Sequence, residues 1–469
     1  MTKTNITMLA LALVALLVFV PSSTTAIEQD QLPKGEVIEN VICKADLHQS
    51  YSLFLPSAYT PEKSWPILYA FDPVARGKIP VNLFKDAAER FGFIVAGSNN
   101  SRNGIQVGAI IEALWADTHQ RFSIDERRVY AAGFSGGARV ACSVGYLNPG
   151  AVAGVIACSG GFPPSISPSP STPFVLFGTA GTEDFNFPEM QQLKRKLDGA
   201  GVANRLAIFE GGHDWAPPNL CAEAMGWMEV QAMKAGKRAK DDVLIDELLA
   251  EKTREARNYE ASKNTYEAYL AYDALAAEFK GLRDVSQFEA SAQVLRTSKE
   301  IKEALKNEKA DEEKQMSLMA KFQSLEQPQE LSTYAETMAQ FRAAISDLTK
   351  QSEQNRNLSD RRVARRVLQS LLVETYEEVN ALYQKKNYAS IPGKLELAAA
   401  IRPKDARVFY DLAVAYSRIG NKGKSLAALS RAIENGFTDV AKIEQNDDFA
   451  TLRNEAEYKR LLAGLKKTM

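Results

Sequence analysis

Short apolar runs alternate with longer amphipathic stretches from about residue 38 to residue 210, and the alternation stops after about Gly236. The runs are QSYSLFL (49–55), WPILYAF (65–71), FGFIVAG (91–97), RRVYAAG (127–133), VAGVIAC (152–158), TPFVLFG (172–178) and NRLAIFEG (204–211). Several are apolar at successive positions, as strands covered on both faces of a parallel sheet must be. Between them VGAIIEALWADTHQRF (107–122), GARVACSVGYL (137–147) and PEMQQLKRKLDGAG (188–201) read as helices. The alternation predicts an α/β fold with a doubly wound, mostly parallel sheet. Its first strands should form an antiparallel edge, because the link from Cys43 to Gln49 is too short for a crossover helix.

The second half predicts helices only. Tyr269, Tyr272, Ala276 and Phe279 recur at helical spacing and read as a core stripe. Residues 296–316 hold 12 charged residues of mixed sign in 21, with Ile301 and Leu305 on one side, which predicts a solvated helix face without a role of its own. Further on, ARVFYDLAVAYSRIGNKGKSLAALSRAIENGF (406–437) sets Phe409, Leu412, Ala413, Tyr416, Gly420, Leu429 and Ala432 in a helix–turn–helix pattern. Thirty-four residues earlier, Leu382, Asn387, Leu395 and Ala398 match Tyr416, Asn421, Leu429 and Ala432, and Pro403 closes that unit. Period and pattern resemble a tetratricopeptide repeat, which implies an all-α helical-repeat domain with a surface for a protein partner. The domain boundaries expected are 33–235 for the sheet domain, 236–365 for a helical region and 366–469 for the repeat-like helices.

Composition sharpens this division. Of 19 Pro, 16 lie at or before Pro218, and of 28 Gly, 21 lie at or before Gly226, so turn-rich sequence fills the first half alone. With 45% hydrophobic residues and a net charge of −1, the chain is neither disordered nor a nucleic-acid binder working through bulk charge. Residues 1–26 read as an export signal. Lys3 supplies the positive start, Met8 to Val20 is a 13-residue apolar run too short for a span, and Ala26 ends a small-residue stretch suited to cleavage. The mature chain is therefore expected to be exported, periplasmic or secreted, with no membrane span after cleavage. In that compartment Cys43, Cys142, Cys158 and Cys221 permit two disulfides in three pairings, or pack as buried thiols. With three His in all and no CxxC pair, no metal site is indicated.

The chemistry concentrates on one serine and one histidine. GFSGG (133–137) fits G-x-S-x-G and lies between the run RRVYAAG and the helical pattern GARVACSVGYL, the strand–turn–helix setting that lifts a serine hydroxyl off the end of a sheet. Such serine sites run serine, acid, histidine along the chain. Of His48, His119 and His213, only His213 follows Ser135, in EGGHDWAPP after the last predicted strand. The acid belongs after TPFVLFG, where Glu183 and Asp184 both stand. Asp184 is favoured for its shorter side chain and for the turn that Asn186 and Pro188 suggest. Backbone N–H groups of Gly136 and of Asp72, or a neighbour in FDPVARGKIP (71–80), should make an oxyanion hole, since Pro73 has no N–H. Asn99, Asn100 and Arg102 in SNNSRNG (98–104), together with Trp215, are candidates for substrate contact. SGGFPPSISPSPST (159–172) is too rich in Pro and Ser for a helical lid, which predicts an open site suited to a bulky or polymeric ester.

Ser135 in GFSGG, Asp184 after a strand and His213 in GGHDW resemble the α/β-hydrolase superfamily. Within it, RVYAAGFSGGA with the later GGHDW is similar to the polyhydroxybutyrate depolymerase and feruloyl esterase branch of secreted esterases, over roughly residues 35–235. The resemblance implies the α/β-hydrolase fold and a Ser–His–Asp acyl-enzyme mechanism on carboxylic esters, with no metal or organic cofactor. One departure stands out: many relatives carry His-Gly after the third strand, and this chain has Phe71-Asp72. The expectation is an exported serine hydrolase of esterase type with a partner-binding helical module. A serine peptidase or other acyl hydrolase stays open, as does an interaction protein with a weakly active hydrolase domain.

Overall fold

A computed structural model describes residues 32–326 and 334–468. The proposed export signal lies outside the described residues. From Lys34 onward the chain folds as one unit.

Eight strands build one sheet: β1 (Val37–Ile42), β2 (Ser50–Phe54), β3 (Trp65–Phe71), β4 (Ile94–Ser98), β5 (Ile124–Phe134), β6 (Gly154–Cys158), β7 (Val175–Gly181) and β8 (Asn204–Phe209). Their order is β1-β2-β4-β3-β5-β6-β7-β8. β1 and β2 pair antiparallel, β2 joins β4 antiparallel, and every later pair is parallel. The short Cys43–Gln49 link thus makes an edge hairpin. The continuous apolar runs are buried throughout β3, β4 and β6, because helices cover both faces.

Those helices are α1 (Lys78–Phe91), α2 (Gly108–Arg121), α3 (Gly136–Leu147), α4 (Phe187–Gly199) and α5 (Pro218–Lys234). α1 begins inside FDPVARGKIP, so the loop after β3 is shorter than that stretch suggested. Phe84, Ala88, Phe93, Tyr130, Phe177, Trp215 and Trp227 pack together in the main core between sheet and helices. All four cysteines are buried free thiols, so neither disulfide open to the sequence forms. Burial pushes the Cys43 thiol up to about 11, with nearby Asp117 adding to it, and raises the other three as well.

Everything after α5 is helical: α6 (Asp242–Ala261), α7 (Thr265–Phe279), α8 (Ser286–Thr297), α9 (Lys299–Glu326), α10 (Tyr334–Gln354), α11 (Leu358–Gln384), α12 (Ile391–Ile401), α13 (Ala406–Arg418), α14 (Lys422–Glu434), α15 (Val440–Glu444) and α16 (Ala456–Thr468). The aromatic stripe of α7 is core, packed with Val230 and Met233 of α5 and Ile245 of α6, so the first helices share apolar packing with the sheet half. The boundary expected at 365/366 falls inside α11, which runs unbroken through it. Leu412, Ala413, Tyr416, Leu429 and Ala432 are buried between α13 and α14, as their pattern predicts. The preceding turn and this one share left-handed backbone 34 residues apart, at Lys386 and Gly420.

The charged stretch 296–316 differs from expectation. It is the body of α9, but it is not merely a solvated face: Ile301 and Gln315 are buried. Glu312 accepts from Arg195 and Gln192 of α4. Charge density alone misread it because its polar groups meet polar partners on the sheet domain.

Candidate active site

β5 delivers Gly133 and Phe134 to a sharp turn, and α3 starts directly after Ser135. Ser135 has φ 54° and ψ −119°, a left-handed φ that costs a non-glycine residue of order 1–3 kcal/mol and persists only where surroundings enforce it. They do so through its N–H, which donates to Cys158 O at 2.9 Å, and its C=O, which accepts from Ala138 at 3.0 Å. The motif glycines answer to space. A Cβ on Gly133 would sit 2.1 Å from Gly137 O, and one on Gly137 would sit 2.0 Å from Phe71 O.

The turn after β7 holds the candidate acid. Asp184 is fully buried, and its Oδ1 accepts from Asn186 N–H at 2.8 Å and lies 2.8 Å from His213 Nδ1. A carboxylate only accepts, so Nδ1 carries the hydrogen and Nε2 presents a lone pair. Glu183, the alternative acid, is paired with Arg365 instead. The imidazole lies between two rings, Phe134 at 4.7 Å and Phe185 at 4.1 Å between centroids. Phe134 directly precedes Ser135, so His213 sits beside the serine turn. Among the described residues, His213 makes its one side-chain hydrogen bond to Asp184.

The remaining residues singled out in the sequence divide. Asp72 begins a turn through Pro73, its C=O accepting from Ala75 N–H at 3.2 Å. Its N atom would be 3.4 Å from a Cβ on Gly137, which sets it beside the first N–H groups of α3, including that of Gly136. The Asp72 carboxylate faces inward. Arg76 donates Nε and Nη2 to it at 2.9 Å each, and Trp215 Nε1 donates at 3.0 Å. Burial alone would push this carboxyl up; the hydrogen bonds from Arg76, Trp215 and Val74 N–H outweigh burial and hold it below the usual range. Trp215 is thus buried and braces the His213 loop against the turn after β3.

Asn99 and Asn100 are also taken up structurally. Asn99 donates to Glu39 O at 3.1 Å, and Asn100 accepts from Ser50 N–H at 2.8 Å and donates to His48 O, so both pin the edge hairpin. Arg102 is exposed, and its backbone bridges Val74. The residue the motif search missed is Asn103. Its N–H donates to Pro73 O at 2.8 Å, and its amide covers the α-face of Gly136, where a Cβ would overlap Oδ1 at 1.9 Å. The only signal for it was membership of the loop SNNSRNG. Its side chain therefore stands against Gly136, the residue whose N–H is a candidate oxyanion donor. Asn103→Ala is expected to lower kcat on a nitrophenyl ester by about 10- to 100-fold with KM nearly unchanged, the mark of a donor used only in the transition state. An unchanged kcat would remove Asn103 from the site.

Ser135, Asp184, His213, Asp72 and Asn103 follow β5, β7, β8, β3 and β4 respectively, all at the carboxyl edge of the sheet, where open α/β sheets bind ligands. No family model and no curated protein matches the chain. Among solved structures, an S-formylglutathione hydrolase (FrmB) from Staphylococcus aureus aligns at TM-score 0.35 and 15% identity, over 42% of this chain and 98% of that one. A ferulic acid esterase aligns at 0.33 and 18%, over 40% and 95%. A feruloyl esterase module from Clostridium thermocellum aligns at 0.33 and 16%, over 40% and 85%. By its own strand order, parallel pairing and serine turn after the fifth strand, the first half has the α/β-hydrolase fold, and the second half is an all-α region.

Proposed function

We propose that this protein is an exported serine hydrolase that cleaves carboxylic esters through a Ser–His–Asp acyl-enzyme mechanism. The observation that carries the reading is the 2.8 Å hydrogen bond between part-buried His213 and buried Asp184, set beside a serine in strained backbone on the turn from β5 to α3. In this mechanism His213 Nε2 takes the Ser135 proton as the oxygen attacks the acyl carbon, and Asp184 keeps the imidazole in the required tautomer. N–H groups of Gly136 and Asp72 stabilise the tetrahedral oxyanion. His213 then protonates the leaving alcohol, and water releases the acyl group.

The substrate is an ester with a bulky or polymeric acyl or alcohol part. Supporting this, the stretch 159–172 contains no helix and builds no lid domain over Ser135. The helical hairpins from α11 to α14, with their 34-residue register, are read as a tetratricopeptide-like surface for a protein partner. The chemistry is tested by assaying the mature chain in parallel on short-chain nitrophenyl esters, a polyester film and aminoacyl anilides. Ester turnover well above anilide turnover is expected; the reverse would make the protein a peptidase.

A further inference from the structure

The helical region reaches the acid. The first turns of α11 lie along the loops that carry Asp184 and His213: Arg362 pairs with Glu210 at 2.7 Å and Arg365 pairs with Glu183. These two ion pairs are at the surface. Arg366 differs, being only 4% exposed. Its Nη1 donates to Thr182 O at 3.3 Å, and its guanidinium lies 4.7 Å from the centre of the Phe187 ring. Thr182 and Phe187 bracket Asp184 in sequence, so the cation rests against the short turn that presents the acid. Arg366 Nε and Asp184 Oδ2 are both buried and have no hydrogen-bond partner among the described residues. α9 also sends buried Gln315, whose Nε2 donates to Phe185 O at 3.2 Å, and the Phe185 ring lies tilted against His213, 4.1 Å between centroids.

A buried guanidinium without a paired carboxylate is costly. A mere anchor between helices and sheet would be served by surface pairs such as Arg365–Glu183. Burial pulls the Arg366 guanidinium down to about 10, with Asp311 the main opposing charge and Asp184 and Glu183 acting in the same sense. It therefore remains protonated at neutral pH. The charged groups around it are Glu183 and Asp184 from the acid loop, Arg362 from α11, and Asp311 and Glu308 from α9, with Arg195 of α4 also acting on Glu308.

We propose that Arg366 is a positioning residue of the active site, a desolvated positive charge that the helical region holds behind Asp184 to fix its carboxylate toward His213. The inference rests on the Ser–His–Asp reading above. In a low-dielectric interior a charge acts on a neighbouring carboxylate without a direct bond. The hydrolase constellation is then complete only with α11 docked, and the helical region is part of the enzyme rather than an appendage to it.

The test uses full-length Ser135→Ala, Arg366→Gln, Arg366→Lys and Asp311→Asn with a nitrophenyl ester. Gln keeps a donor for Thr182 O and removes the charge. Arg366→Gln should lose about tenfold in kcat with KM little changed, as expected when a reacting group is slightly misplaced. The acid limb of its kcat/KM profile should move up by about half a pH unit, because a less compensated Asp184 holds the proton on the imidazole more tightly. Arg366→Lys, which keeps the charge, should restore most of both. Asp311→Asn leaves Arg366 in place, and so decides the matter even if Arg366→Gln does not fold: unmasking the guanidinium should move the acid limb down. Equal kcat in Arg366→Gln and Arg366→Lys, or an acid limb in Asp311→Asn that stays or rises, overturns the proposal alone. Turnover that survives Ser135→Ala overturns the mechanism and this proposal together.

Discussion

Ser135→Ala is expected to abolish labelling by a fluorophosphonate probe and to lower kcat/KM on a nitrophenyl ester by about 10⁴-fold or more. The substitution removes one oxygen and keeps the backbone, since the bonds that hold the left-handed φ at 135 come from main-chain atoms of Cys158 and Ala138. Loss of activity would therefore report chemistry, with a melting temperature close to that of the parent as the control. His213→Ala should lose activity on a similar scale. His119→Ala should not. Its Nδ1 lies 2.8 Å from Trp115 O and its ring stacks on Trp115 at 4.5 Å, away from the carboxyl edge on which Ser135 stands. Labelling that survives at position 135 would sink the nucleophile. Sensitivity at His119 with tolerance at His213 would overturn the base.

Asp184→Asn should lower kcat by about 10³- to 10⁴-fold while leaving KM nearly unchanged. The amide matches the carboxylate in shape, so packing is retained. Its oxygen can still accept from Asn186 N–H and His213 Nδ1, but a neutral amide no longer offsets the positive charge that the imidazole gains when it takes the serine proton. Glu183→Gln is the contrasting case. It weakens one partly exposed pair with Arg365, worth about 0–1 kcal/mol, and should leave kcat within about threefold. Equal losses at the two positions would mean that the loop as a whole, rather than the Asp184 carboxylate, supports the site. Kinetics of the two variants side by side, with melting temperatures, decide between these outcomes.

Much of the sheet was legible because burial on both faces writes itself as continuous apolar runs. WPILYAF, VAGVIAC and TPFVLFG became β3, β6 and β7 with small shifts at their ends. α1 was hidden because its start, GKIP, reads as a turn, and the helix follows from packing Val81, Phe84 and Ala88 against the sheet. The charged α9 was misread for the converse reason: a helix that covers a polar loop buries Gln315 and engages Glu312, and no hydropathy pattern announces that. The candidate site was legible where the backbone sets the rule, as at Gly133, Ser135 and Gly137. It was not legible where a side chain could turn either way. Asn99 and Asn100 turned to the edge hairpin, Trp215 turned to Asp72, and Asn103 turned over Gly136.

By itself the sequence determined an α/β half and an all-α half, the serine turn, and the histidine, which scarcity left without a rival after Ser135. These follow from local physics: apolar periodicity, the space a tight turn allows, and chain order. Only the tertiary structure shows that Asp184 faces His213 while its neighbour Glu183 faces Arg365. Only the tertiary structure also brought Arg366 within reach of the acid loop, across a separation of 182 residues from Asp184. Such choices depend on which loops and helices meet, and burial then makes the placement of each charge count, because desolvation is costly wherever it is not offset.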